Sequence, residues 1–300
     1  MQNHRVLITG GMGFMGSHLA RHCIALGWDV STIYPYDQDL TLYNELLAQT
    51  HAYPVHGATS EIVGILAEAN PDLVFHLASI FVAEHDPEDV VPLFHSNVLL
   101  GAQVLEAMAL NGVRFLVNTG SSWQHFEDRL YCPVNLYAAT KQAFEDIMVY
   151  YIERGDLTAI TLKLFDTYGP GDQRKKLIQI LHDAAQQRKP LAMSPGDQLM
   201  DLVHVDDVVR AFIVAAERLL DGKVKKHDIY AVSSGAPLRL RDVVELYQQA
   251  TGGQVLVVWG ERPYRRREVM VPWSKGKRLP GWSPNIGLRE GFRDLFKENL

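Results

Sequence analysis

Tyr137 and Lys141 stand four residues apart in Asn135-Leu136-Tyr137-Ala138-Ala139-Thr140-Lys141. On a helix that spacing puts a phenol and an ammonium on one face. A nearby ammonium favours the phenolate, so the pair suits proton transfer, with the tyrosine drawn from its ordinary value of about 10 towards neutrality. Just upstream, Gly120-Ser121-Ser122-Trp123 offers hydroxyls at the end of an apolar run. A second chemistry is written in Thr9-Gly10-Gly11-Met12-Gly13-Phe14-Met15-Gly16. Gly11, Gly13 and Gly16 satisfy G-x-G-x-x-G, a turn that lets a pyrophosphate approach the backbone and sit at a helix N-terminus. A third is the basic run Arg262-Pro263-Tyr264-Arg265-Arg266-Arg267-Glu268. Its guanidinium forks suit a diphosphate, the alternative being a solvated charge run beside a strand.

These groups need elements to hold them. Apolar runs predict strands over 5–8, 29–33, 51–55, 72–79, 114–119, 159–165, 190–193 and 228–232. Helical spacing predicts helices over 17–26, 39–49, 60–69, 90–110, 136–154, 175–188 and 240–250, and one ending near Leu219 with Asp206 suited to cap it. Strands alternating with helices imply an α/β fold, an open parallel sheet with helices on both faces, in which ligands sit at the C-terminal edge of the strands. The glycine turn and the Ser121–Ser122 loop both fall on that edge.

The 300 residues exceed one simple nucleotide-binding unit, and 47% of them are apolar, ample for a large core. A formal charge of −6 makes nucleic acid a poor default partner. Cys23 and Cys132 form no C-x-x-C, which argues against a zinc or disulfide framework and for a reducing compartment. With no eighteen-residue apolar run and a strand starting by residue 5, neither a membrane span nor a signal peptide is indicated, and a soluble cytoplasmic protein is expected.

With the preceding Ile8-Thr9, Gly10, Gly13 and Gly16 also read G-x-x-G-x-x-G, which resembles the short-chain dehydrogenase/reductase superfamily, in its extended branch of nucleotide-sugar epimerases, dehydratases and reductases. Further stretches carry the resemblance in order along nearly the whole chain. His76-Leu77-Ala78-Ser79 resembles the family's His-Leu-Ala-Ala strand end, and Asn97-Val98-Leu99-Leu100-Gly101 its Asn-bearing helix. Asp166-Thr167-Tyr168-Gly169-Pro170, Met200-Asp201-Leu202-Val203-His204-Val205-Asp206-Asp207 and Leu279-Pro280-Gly281-Trp282-Ser283-Pro284 resemble three later signatures.

The resemblance implies a Rossmann-type doubly wound sheet with a small C-terminal substrate lobe. Residues 1–170 with a returning segment near 204–235 would bind cofactor, and 171–203 with 236–300 would bind substrate. It implies NAD or NADP on Gly10, Gly13, Phe14, Met15, Gly16, Asp37, Leu77, Ala78, Asn97, Tyr137 and Lys141. Tyr34 occupies the usual acidic position, so Asp37 is either its substitute or a turn residue, and the choice between the two cofactors stays open. Asn97 faces the active site in this reading and an exposed helix face in the other. The catalytic set is Ser121, Tyr137 and Lys141, with Ser122 and Thr119 as alternatives for the hydroxyl because Gly120 falls at the usual Ser/Thr position. Ser122, Asp166, Arg265 and Arg267 would contact a nucleotide sugar; His76, His204 and Asp206 read as structural. A homodimer through the helices at 90–110 and 136–154 is expected. The activity implied is reduction of a 4-keto deoxysugar nucleotide, with a 4-epimerase as alternative, a 4,6-dehydratase further off, and a non-catalytic cofactor sensor as the reading from another class.

Overall fold

A computed structural model describes residues 3–295. The chain enters as β1 (Arg5–Thr9), turns into α1 (Phe14–Ala25), and continues through β2 (Asp29–Pro35), α2 (Asn44–Leu47), β3 (His51–Val55), α3 (Thr59–Ala69) and β4 (Leu73–His76). Next, α4 (Val90–Phe94), a π-helical turn (His95–Leu99) and α5 (Leu100–Asn111) run on as one rod into β5 (Phe115–Ser121). They are followed by α6 (Leu136–Arg154), β6 (Thr158–Leu164), β7 (Asp166–Tyr168), α7 (Leu177–Gln187) and β8 (Leu191–Met193). The rest is β9 (Leu199–Met200), β10 (Leu202–His204), α8 (Val205–Leu220), β11 (His227–Val232), β12 (Leu238–Arg239), α9 (Leu240–Thr251), β13 (Val257–Trp259) and α10 (Leu288–Asp294).

Seven strands form one parallel sheet in the order β11-β6-β5-β4-β1-β2-β3. Strand order reverses between β1 and β4, and a ligand crevice opens there beyond the carboxyl ends of the strands. β11 joins the sheet after the chain has left it, parallel to β6 with Tyr230 beside Leu162. Two apolar layers cover the sheet faces, one around Leu19, Phe75 and Phe212, the other around Leu66, Met108 and Phe144. A third apolar cluster, with Leu181, Val243, Tyr247 and Phe292, lies under α7, α9 and α10. Leu279 belongs to the sheet core, and the Ala231 amide donates to the Lys277 carbonyl at 2.7 Å, so the late chain folds back onto the sheet. The lobe expected over 236–300 ends in residues 296–300, which lie outside the described residues, as do 1 and 2 of the first segment.

Several elements differ from the expectation. The helix expected over 39–49 is a 3-10 turn and the single turn α2, because the Asp39 carboxylate takes the Thr41 amide at 2.9 Å and its hydroxyl at 2.6 Å, a local turn that competes with helix. The helix expected over 90–110 is interrupted by the π turn. The stretch Pro87–Asn111 is long and apolar enough to cross a membrane by length and composition, yet α5 packs on α3 and α6 with Val104, Leu105 and Met108 in the core. α8 is capped by His204, whose Nδ1 accepts from the Asp206 amide at 3.2 Å; Asp206 lies inside the first turn instead, where it meets His18 of α1. Strand β5 runs two residues further than expected and carries Ser121 at its end.

Candidate active site

At the switch point the backbone sets the geometry. Gly10 has φ +70°, and a Cβ there would stand 2.9 Å from the backbone of Ala78. A Cβ on Gly16 would overlap the Gly10 carbonyl. Both positions exclude any side chain, which brings the N-terminus of α1, with Phe14, Met15 and Gly16, up to the turn. The Leu77 amide donates to the Thr9 carbonyl at 3.2 Å, and the Ala78 amide to the Thr9 hydroxyl at 3.2 Å, so β1 and β4 share one edge. The Thr9 hydroxyl also meets His76 Nδ1 at 2.8 Å. Full burial, and then the Lys141 charge, push His76 down to about 3, so it stays neutral and structural.

Beyond β5 and β6 a cavity of about 690 Å³ opens. Phe81, Ser122, Trp123, Asp166, Lys176, Arg265 and Arg267 are among the residues that line it. Tyr137, on the first turn of α6, packs edge-on against Phe81 at 5.0 Å, and Phe81 against Trp123 at 5.4 Å. The Ser79 and Ser121 hydroxyls hydrogen-bond the Tyr137 phenol. Ser121, rather than Ser122 or Thr119, is therefore the β5 hydroxyl beside the tyrosine. Its Oγ accepts from the Trp123 amide at 3.2 Å, which leaves its own proton to donate.

Burial outweighs those two hydroxyls and raises Tyr137 to about 12. The expected fall towards neutrality is overturned: Lys141 is not among the groups that move the tyrosine, while Asp166 pushes it further up and only Arg174 adds a distant downward pull. Lys141 is 2% exposed, and burial lowers it to about 8. Asp166 is raised by burial, against the Lys176, Arg174 and Arg265 cations. Lys176, lying over the Phe81 ring at 4.7 Å, is lowered chiefly by burial.

A phosphate-ready turn at the switch point and a tyrosine–lysine helix beside a cavity are one arrangement, and the family model of the NAD dependent epimerase/dehydratase family matches residues 6–232. This chain belongs to that family. It is 26% identical to CDP-abequose synthase of Salmonella typhimurium over 97% of both chains. It is 25% identical to UDP-glucose 4-epimerase of Corynebacterium glutamicum, over 93% of this chain and 91% of the other. Among solved structures, MoeE5 in complex with UDP-glucose and NAD superposes with a TM-score of 0.82 at 27% identity, over 96% of each chain. The Thermus thermophilus UDP-glucose 4-epimerase complex with NAD gives 0.82 at 25%, over 97% of each.

Within this NAD-dependent family fold, two residues expected at the cofactor have the following surroundings. Asn97 is buried by the π turn: its Oδ1 accepts from the Ile80 amide at 2.8 Å, and its Nδ2 donates to the Ile80 carbonyl and the Thr140 hydroxyl, each at 3.0 Å. Both donor hydrogens are used, so Asn97 clamps the loop after β4 to α6 and does not lie on an exposed face. Asp37 is exposed in the turn after β2, and Gln38 instead reaches the glycine turn, donating to the Met12 carbonyl at 2.6 Å. Arg265 lies 3.6 Å from Glu84; Arg267 covers the Phe126 ring at 4.3 Å and donates to Cys132 Sγ at 3.1 Å. Three residues escaped the sequence reading. Ser79 had one usable signal, its place just past β4 on the ligand edge. Lys176 and Arg174 come from the loop before α7, with Arg174 over the Phe14 ring at 4.6 Å and paired with Asp172.

Proposed function

We propose that this protein is a sugar-nucleotide oxidoreductase acting at carbon 4, and in the first place a ketoreductase for a 4-keto deoxysugar nucleotide. The observation that carries this is the Tyr137 phenol beside Ser79 and Ser121, packed against the Phe81 ring that lines the cavity, one helical turn ahead of buried Lys141. Similarity to CDP-abequose synthase over nearly all of both chains supports it, as do the aromatic walls Phe81 and Trp123, which favour a methyl over a hydroxymethyl or carboxylate.

The turn at Gly10, Gly13, Phe14, Met15 and Gly16, with Leu77 and Ala78 beside it, fits a dinucleotide, because Gly10 and Gly16 have no room for a Cβ and hold the turn close to the N-terminus of α1. When bound in reduced form, NAD supplies a hydride to carbon 4. As the carbonyl electron pair moves onto O4, Tyr137 gives that oxygen its phenolic proton and Ser121 donates a hydrogen bond to it; solvent then reprotonates the phenolate. A phenol held near 12 keeps its proton at neutral pH, the state that reduction requires. Lys141 bonds the cofactor ribose. Ser122 and Asp166 contact the sugar, and Arg265 and Arg267 the diphosphate. In this reading residues 1–170 with 204–235 serve the cofactor, and 171–203 with 236–300 the substrate. Exposed Val91, Phe94, Leu99 and Leu110 on the α4–α5 rod and Val149 and Tyr150 on α6 support a homodimer through those helices.

A 4-epimerase is the second reading, favoured by the match to the Thermus thermophilus enzyme. The test is to denature fresh protein, assay the released NAD, and supply sugar nucleotides. An empty site with NADH or NADPH consumed on a 4-keto-6-deoxysugar nucleotide supports the reductase. Captive, near-stoichiometric NAD with interconversion of 4-epimers overturns it in favour of the epimerase. Binding of neither cofactor overturns both.

A further inference from the structure

Lys141 has a charged neighbour on its own helix and another across the sheet. Glu145, one turn on, accepts both hydrogen bonds of a buried ion pair from Lys163 of β6, with Nζ 2.8 Å from each carboxylate oxygen. Lys163 is in register with Gly120 of β5 and passes over it to reach α6. A Cβ on Gly120 would stand 2.7 Å from Lys163 Cδ and 3.0 Å from Glu145 Oε1. The glycine at the position where a hydroxyl was expected is thus the gap that admits the pair. Gln124 completes the set. Its Nε2 donates to Glu145 at 3.1 Å and to Gln142 at 2.8 Å, while its Oε1 accepts from the Ser121 amide at 2.9 Å.

A buried ion pair is poor value as a stabiliser, since apolar residues of similar volume commonly do as well. This one lies one turn beyond Lys141 and two hydrogen bonds, through Gln124, from Ser121. We propose that the Glu145–Lys163 pair sets the charge of Lys141, making both members positioning residues for that lysine. The inference rests on the roles given to Tyr137 and Lys141 above. The titratable groups facing Lys141 are Glu145 on α6, His76 on β4 and Lys163 on β6. His76 is neutral, so the pair supplies the formal charges. Glu145 raises Lys141 and Lys163 lowers it. Around the pair itself, burial keeps His125 and His227 on the neutral side.

The two members act in opposite directions, which no purely structural role reproduces. The measurement is an NMR titration of the folded protein carrying 13Cε-labelled lysine, with the Lys141 signal assigned by its loss in Lys141→Arg, alongside the alkaline limb of kcat. Glu145→Gln should move the Lys141 midpoint down by about one pH unit, and Lys163→Met should move it up by a similar amount. Lys163→Arg should restore the wild-type midpoint. Should Glu145→Gln fail to fold, Glu145→Asp, which withdraws the carboxylate by one methylene, must still move the midpoint downward. Midpoints that stay together, or that move the same way in both charge-removing variants, overturn the proposal. Opposite shifts in a protein that turns over no sugar nucleotide would keep the charge device and reject the function assigned above.

Discussion

The glycine turn between β1 and β4 and the cavity beside Tyr137 are built from different materials. In the turn the recognising groups are backbone, and what matters is which atoms are missing: no Cβ on Gly10 or Gly16. In the cavity the recognising groups are side chains, gathered from the loop after β4, the end of β5, the start of α6, the approach to α7 and the 262–268 segment. The first tolerates no change of shape and has little chemistry to alter. The second can exchange a contact and acquire a new substrate while its walls stay in place. This division fits a family whose relatives here carry different sugar names on one fold.

The contrast can be broken or sharpened by experiment. Tyr137→Phe removes the phenolic hydroxyl and its proton, so turnover should fall about a thousandfold while NAD still binds, read by steady-state rates and calorimetry. Full activity in that variant would remove the tyrosine from the mechanism. The next effect lies in stability. The unfolded chain protonates histidine near 6.5, whereas folded His76 resists down to about 3. Between those values the unfolded state binds the extra proton, so this contribution is complete above pH 6.5 and is lost as pH falls towards 3, by up to ~5 kcal/mol. Urea titrations from pH 7 to 3.5 should show that slope, and His76→Gln should flatten it. Gly16→Ala should cost about 1–3 kcal/mol of stability and weaken NAD binding at least tenfold, because the added carbon strikes the Gly10 carbonyl. Arg265→Ala should do least. Its guanidinium is half-exposed, so KM should rise several-fold with kcat unchanged. An Arg265 effect larger than that of Gly16 would reverse the contrast.

The parts legible in the sequence were those whose partners are close in the chain. The glycine spacing, and the Tyr137–Lys141 pair on one helix, need only local geometry to be read. The sheet followed from alternating strands and helices. The bonds made by Asn97 were not legible because a π turn inserts an extra residue into the rod and rotates everything after it relative to an α-helical count. The acidity of Tyr137 was misjudged because the spacing shows an ammonium nearby and does not show how far burial removes the phenol from water. The cap of α8 depended on a two-residue reach by His204 that competes with the more familiar aspartate. Ser79, Arg174 and Lys176 sit on irregular loops, where no periodicity marks a residue as facing a site.

The clamp around Asn97 has a mechanical consequence. Asn97 holds Ile80 by both its backbone groups, and Asn135, at the start of α6, donates to the Val82 and Ala83 carbonyls at 3.0 and 2.9 Å. The loop with Ser79 and the helix with Tyr137 are therefore stitched together at three successive points, and Asn97 is bonded to that helix through Thr140. Lys176 lies over the Phe81 ring of that same loop, so the approach to α7 is tied to the stitched unit as well, and the three segments are braced as one frame.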